Sequence, residues 1–241
     1  MNNDLFIKID NFLNNKVSLP KIDPNNIDDT YKYIKYRFYD RMYQGIKSIK
    51  VLINNNSCFD ALILSGHLLE TYSMFNFITN YNTRKNIKNY RKLMASIIFR
   101  IIRGNLGWDC IDKKAEIISY NSLLNTFIPY GDSIIKKDKN FNDIISKLKS
   151  FNVDNKKEII EILEENFNPI KPEKYIQRLK DHNSQEKNMI QMLYNKYCYY
   201  KHCNLLNFEA SFESNFEDDI LIFVTDMLSF ILNTNFQEII E

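Results

Sequence analysis

The sequence predicts an all-α fold, and three observations carry the prediction. Only 5 Gly and 5 Pro occur in 241 residues, so helix-breaking residues are too sparse for a turn-rich β fold. Apolar residues recur at helical spacing through most of the chain. Two capping-box patterns, Asn183 with Glu186 and Ser214 with Glu217, mark helix starts late in the sequence. No segment reads convincingly as a strand, and no internal repeat or low-complexity linker is visible. A hydrophobic fraction of 44% supports a real core, and 14% aromatic residues make that core rich in Phe and Tyr. Asn, Ile and Lys are heavily used, as in chains from AT-rich genomes.

Taken in order, a short amphipathic helix opens the chain over about 4–13, and a loop with two prolines, KVSLPKIDPNN, follows. A long helix is predicted from about Asp28 to Ile53. Its stripe is Ile34, Phe38, Met42, Ile46, Ile49 and Ile53, with Lys35, Arg37, Arg41, Lys47 and Lys50 on the other faces. The stretch NNNSCFDALILSGHLLETYSMFNFI forms the next helix, with Asn56 or Ser57 as N-cap and Asp60 in the first turn. It is apolar on most sides, which places it centrally, and a tight turn joins the pair as an αα-hairpin. A basic helix, about 83–103, ends at GNLGW. Residues 112–168 hold three weaker helical patterns around the loops PYGD and FNVDNKK, and NFNPIKP precedes two final helices. The second of these, apolar on nearly all faces, runs to about Asn235. The expected organisation is a single all-α domain over 1–241, a helical bundle with its core in about 28–103 and 183–235. A helical insertion occupies the middle, about 112–170.

Net charge is +2, but its distribution is uneven. Arg84, Lys85, Lys88, Arg91, Lys92, Arg100, Arg103, Lys113 and Lys114 stand against Asp109 and Asp112 alone between 84 and 114. From Cys203 to Glu241 there is no Lys or Arg. The basic segment either meets nucleic acid or balances the acidic C-terminal helix within the fold. The N-terminus lacks the pattern of a signal peptide. The most apolar stretch, Ile220 to Leu232, is too short to span a bilayer and contains Asp226. A cytoplasmic protein without a membrane segment is expected, with Cys58, Cys110, Cys198 and Cys203 as free thiols.

The densest chemistry is NKYCYYKHCN, 195–204. On a helix, Asn195, Cys198, Tyr199 and His202 share a face, with Tyr194 and Tyr197 beside it. No C-x-x-C or H-x-x-x-H completes a zinc set with Cys198, His202 and Cys203, so no metal and no cofactor are expected. His202 can exchange protons near neutral pH, and Lys196 or Lys201 can neutralise a phosphate. Together they suffice for metal-independent RNA cleavage, in which a ribose 2′-OH attacks its own phosphate. The competing reading is a packed helix end.

The pairing of DALILSGHLLETYSMFNFI with the late Tyr194, Tyr197, Cys198, His202 and Asn204 resembles a widespread group of helical prokaryotic proteins. That group has a D-A-x-x-L-x-R-x-L-x-E-like helix and a Y-x-x-L-S-x-x-x-H helix end, and it is similar to the HEPN superfamily. The resemblance covers about 28–81 and 183–232. It implies a helical bundle, often dimeric, of the kind used by toxins and antiphage-defence ribonucleases. His202 matches the superfamily histidine and Glu70 the acidic residue of the second helix; Cys198 stands where Ser is usual. Two positions depart from the pattern. The arginine that precedes the histidine is replaced by Lys196, after Asn195, and Lys lacks the bidentate fork of Arg. The arginine of the second helix gives way to Gly66 and His67; His67 either substitutes for it or, as a single His on an apolar helix, is a satisfied core residue.

The catalytic expectation is therefore His202 as general acid/base, Lys196 on phosphate, and Glu70 and Asn204 as orienting groups. RNA would be held by Lys201, Arg84, Lys88, Arg91 and Lys92, and two-fold association would pair two His202 side chains. A homodimer, RNA, and an antitoxin or defence-complex protein are the expected partners. The alternative is a non-catalytic interaction module that binds RNA or a protein through its basic segment. A purely structural bundle is the third.

Overall fold

The computed structural model describes residues 3–21, 23, 27–79, 89–90, 92–93, 121, 143, 146–152, 154–167, 184–202 and 216–240. All regular structure among them is helical, with no strand. The helices are α1 (Asn3–Asn14), α2 (Ile27–Asn54), α3 (Cys58–Thr79), α4 (Lys156–Phe167), α5 (Ser184–His202), α6 (Phe216–Leu232) and α7 (Phe236–Ile240). No helix among the described residues is long and apolar enough to cross a membrane. The basic helix expected over 83–103 lies outside the described residues, apart from Asn89, Tyr90, Lys92 and Leu93, which are helical.

Two compact units divide the chain. One comprises 1–20, 35–76 and 176–241, and the other 21–34 and 77–175.

In the first unit, α2 and α3 form the expected hairpin, and its turn has a specific chemistry. Asn56 takes φ 58°, the left-handed conformation that Asn tolerates better than most residues. Its N–H donates to the Ile53 carbonyl at 3.0 Å, and the Ser57 N–H donates to Leu52 at 2.9 Å. These are the two bonds of a Schellman cap, which satisfies carbonyls orphaned at the end of α2. Ser57 then accepts the first bond of α3, from the Ala61 N–H at 3.0 Å. One residue thus ends α2 and the next begins α3.

The first unit's α2 stripe is buried as expected at Met42, Ile46, Ile49 and Ile53. Lys35 differs from expectation: it is 9% exposed rather than on a solvent face, and its ammonium donates to the Ile239 carbonyl. The hydrogen bond compensates the burial of the charge, and it ties α2 to α7. The central α3 buries residues around most of its circumference, including Leu62, Leu69, Tyr72 and Phe75. Around it lies an aromatic cluster. Phe236 meets Phe12, Tyr39 and Phe75 at ring-centroid distances of 5.7, 5.6 and 5.6 Å, the tilted and edge-on range that aromatic pairs favour. The Tyr39 hydroxyl accepts the Val17 N–H at 2.9 Å, and Tyr43 donates to the Leu13 carbonyl at 3.0 Å. Both hold the end of α1 on α2.

In α6 the buried stripe is Ile220, Phe223, Val224, Met227, Leu228 and Ile231. On its outer face α6 presents the apolar Ile222 to solvent beside the charged Asp226. The helix does not reach Asn235. It ends at Leu232, where the polar run Asn233–Thr234–Asn235 breaks it before α7. Tyr72 and Thr234 share a hydrogen bond of 2.8 Å that fixes this corner. Helix α1 packs against α6.

In the second unit, Tyr31 donates to the Ile78 carbonyl, and Asn89 donates to Phe77 at 3.0 Å. The expected FNVDNKK loop is built from amides. Asn152 Oδ1 accepts the N–H groups of Asp154 and Asn155 at 2.9 and 3.0 Å, and the Asn155 carbonyl takes the first bond of α4, from Ile159. Asn here supplies local hydrogen bonds that favour a turn over a helix.

Candidate functional site

Among the predicted site residues, Glu70 falls on α3 and Lys196, Lys201 and His202 on α5, and a close helix contact brings those two helices together. A Cβ built on Gly66 would lie 2.1 Å from Tyr197 Cε2 and Cζ. No larger residue fits unless the ring retreats. Tyr197 is 1% exposed and belongs to a buried α5 stripe with Ile190 and Leu193. Asn195, expected to share a helical face with Cys198, is exposed, and Cys198 is half-buried. The stripe that packs includes the Tyr197 ring.

Glu70, one turn beyond Gly66, reaches the same side of α5. Burial is the main cause that pushes the Tyr194 phenol up to about 12, with Cys198, the Glu70 carboxylate and a hydrogen bond to Cys198 adding to it. The Tyr197 phenol is also raised, by burial first and then by Glu70 and Cys198. Both tyrosines therefore stay protonated near neutral pH. The Cys58 thiol is raised as well, by burial and then by Glu217 and Asp218, which disfavours the nucleophilic thiolate. Cys58 and Cys198 are free thiols.

Lys196 turns the other way. Its ammonium lies over the Phe223 ring of α6, 5.6 Å from the centroid, within cation–π range. Glu70 and Lys196 thus serve different sides of α5. His202 is the last residue of α5, preceded by Lys201. At 1.5 Å per residue it stands about 7.5 Å along the axis from Tyr197. The side chains of Lys201 and His202, and all of Asn204, Arg84, Lys88 and Arg91, lie outside the described residues; Lys92 is helical and half-buried.

His67 is a correction to the sequence reading. It is not in the core: its side chain is 58% exposed, with Nδ1 3.8 Å from Glu70 Oε2. The helix that carries it is buried around most of its circumference, but His67 occupies a solvent-facing gap beside α2. There it joins Arg41, Gln44 and Ser48 around a groove of about 240 Å³. Sequence reasoning placed Arg41 on a solvent face without connecting it to His67. The usable signal was the alignment of Arg37, Arg41, Gln44 and Ser48 along one exposed face of α2. Among the described residues, no group of three or more His, Cys, Asp or Glu side chains is arranged to hold a metal ion. No family model, curated protein or solved structure matches the chain.

Proposed function

We infer that this chain is a cytoplasmic, HEPN-like helical protein of a prokaryotic toxin–antitoxin or antiphage-defence system, directed at RNA and acting as a homodimer. The observation that supports the reading is the seating of Tyr197 on Gly66, because it joins the two helices whose motifs carry the resemblance. In the catalytic form of the proposal, His202 exchanges the proton of a ribose 2′-OH as it attacks its own phosphate. Lys196 and Lys201 hold phosphate oxygens, and Asn204 orients the histidine. The position of Glu70 among the tyrosines supports a role in setting the α3–α5 seam.

One observation favours the non-catalytic reading, an interaction module that binds RNA or a protein. Lys196 stands in for the missing arginine, yet its ammonium is placed over Phe223.

Induced expression in a bacterial host, wild type beside His202→Ala, separates the two, with total RNA run on a gel and folding followed by circular dichroism. Growth arrest and RNA fragmentation that the variant abolishes while keeping its helicity support the nuclease. Intact RNA with both proteins folded refutes it in favour of the interaction module.

A further inference from the structure

The groove between α2 and α3 is separate from the Tyr194–Tyr197 seam and has its own chemistry. Its floor is apolar, from Leu64 and Leu68, and its rim carries Arg41, Gln44, Ser48 and His67. No carboxylate lines it. Arg41, Gln44 and Ser48 are exposed, and among the described residues their side chains have no hydrogen bond or ion pair. The nearby acids are engaged: Asp40 pairs with Lys16 at 2.9 Å, and Glu70 faces His67 Nδ1. Arg41, Gln44 and Ser48 lie at offsets of three and seven, so all three project from one face of α2. A guanidinium, an imidazole, an amide and a hydroxyl around one hollow form a donor set for a tetrahedral oxyanion.

We propose that the Arg41–His67 groove is a phosphate-binding site, and that in the RNA-directed reading above, on which this extension rests, it holds a phosphodiester of the bound strand. Arg41 supplies the charge and paired donors, while Gln44 and Ser48 supply neutral donors along the same face. His67 closes the site from α3.

The test has two arms. Inorganic phosphate is titrated into the full chain while the imidazole signals are followed by NMR; with three histidines, His67→Gln assigns the His67 signal. A ten-nucleotide single-stranded RNA is then bound to wild type, Arg41→Ala, His67→Gln and Lys157→Ala, the last an exposed lysine on α4. The expected result is a saturable shift of the His67 signal and RNA affinity weakened roughly tenfold in Arg41→Ala. The logarithmic salt slope should fall by about 0.7 in that variant, one phosphate contact on a single strand, with Lys157→Ala unchanged. RNA binding that Arg41→Ala and His67→Gln leave intact, with an unmoved His67 signal, overturns the groove while the RNA reading stands. A shifted His67 signal without RNA binding upholds the site for a small phosphate ligand and overturns the RNA reading. Neither response overturns both.

Discussion

Gly66 and Gly45 lie in the middle of helices, where replacing Gly by Ala normally stabilises by about 1 kcal/mol. The two sites should respond in opposite directions. At Gly45 the new Cβ would sit 3.2 Å from Leu68 Cδ1, the end of a flexible side chain that can yield a few tenths of an ångström. Gly45→Ala should therefore be neutral or stabilising, by up to about 1 kcal/mol. At Gly66 the Cβ would lie 2.1 Å from two atoms of a buried ring, against the 3.4 Å at which ordinary contact begins. Tyr197 must move by more than an ångström, or α3 and α5 must separate. Overpacking of this size belongs at the upper end of the usual range, about 3 kcal/mol. After the propensity gain, a net loss of about 2 kcal/mol remains, a drop in Tm of about 4–8 °C for a chain of this length. Thermal melts by circular dichroism on the two single variants decide the matter. A cycle with Tyr197→Leu adds a check: removing the ring should relieve the penalty, so the double variant is more stable than additivity allows. A Gly66→Ala protein as stable as Gly45→Ala would refute the seating of Tyr197 on Gly66.

Three further outcomes follow from local chemistry. Ser65 is fully buried and its hydroxyl has no hydrogen-bond partner among the described residues, so Ser65→Ala should stabilise by about 1 kcal/mol in urea denaturation. Asn56 holds a left-handed backbone; Asn56→Val should destabilise by about 1–2 kcal/mol in the same assay, and Asn56→Gly should not. The Tyr194 phenol rises from an ordinary 10 to about 12 on folding, so its contribution to stability is complete below pH 10 and is lost as pH climbs to about 12. Phenolate absorbance should show late-titrating tyrosines, and Tyr194→Phe should reduce the loss of stability across that window.

The helices of the first unit were readable because their buried residues recur every three or four positions. Met42, Ile46, Ile49 and Ile53 are apolar by sequence and buried in fact. What could not be read depends on partners far along the chain. Lys35 looked solvent-facing because nothing local shows that the Ile239 carbonyl will meet its ammonium. Gly66 looked like a lost arginine, whereas its small size makes room for a ring 131 positions later. His67 sits in a run so apolar that composition alone sends it inward; the approach of α2 leaves it outside. The end of α6 is a different case. Three polar residues, Asn233, Thr234 and Asn235, were visible, and the long apolar stripe before them outweighed the break they cause. At the candidate site, the tyrosine rings of α5 are apolar bodies suited to packing, and Tyr197 is buried, but its seat on Gly66 was not legible from either segment alone.

The corner between α6 and α7 has a consequence for biosynthesis. The bonds that secure it join Lys8 to Asn233, Lys35 to Ile239 and Tyr72 to Thr234, pairs separated by 225, 204 and 162 positions. During translation α1, α2 and α3 leave the ribosome long before their partners exist. The hairpin, being local, can form on the nascent chain, but the unit cannot close until residues 233–240 clear the exit tunnel. Until then the aromatic faces around Tyr39 and Phe75 await Phe236. Closure of the first unit thus waits on its C-terminal segment, and a ribosome stalled before Asn233 would carry a chain with the sequences of α1 to α6 translated and that unit still open.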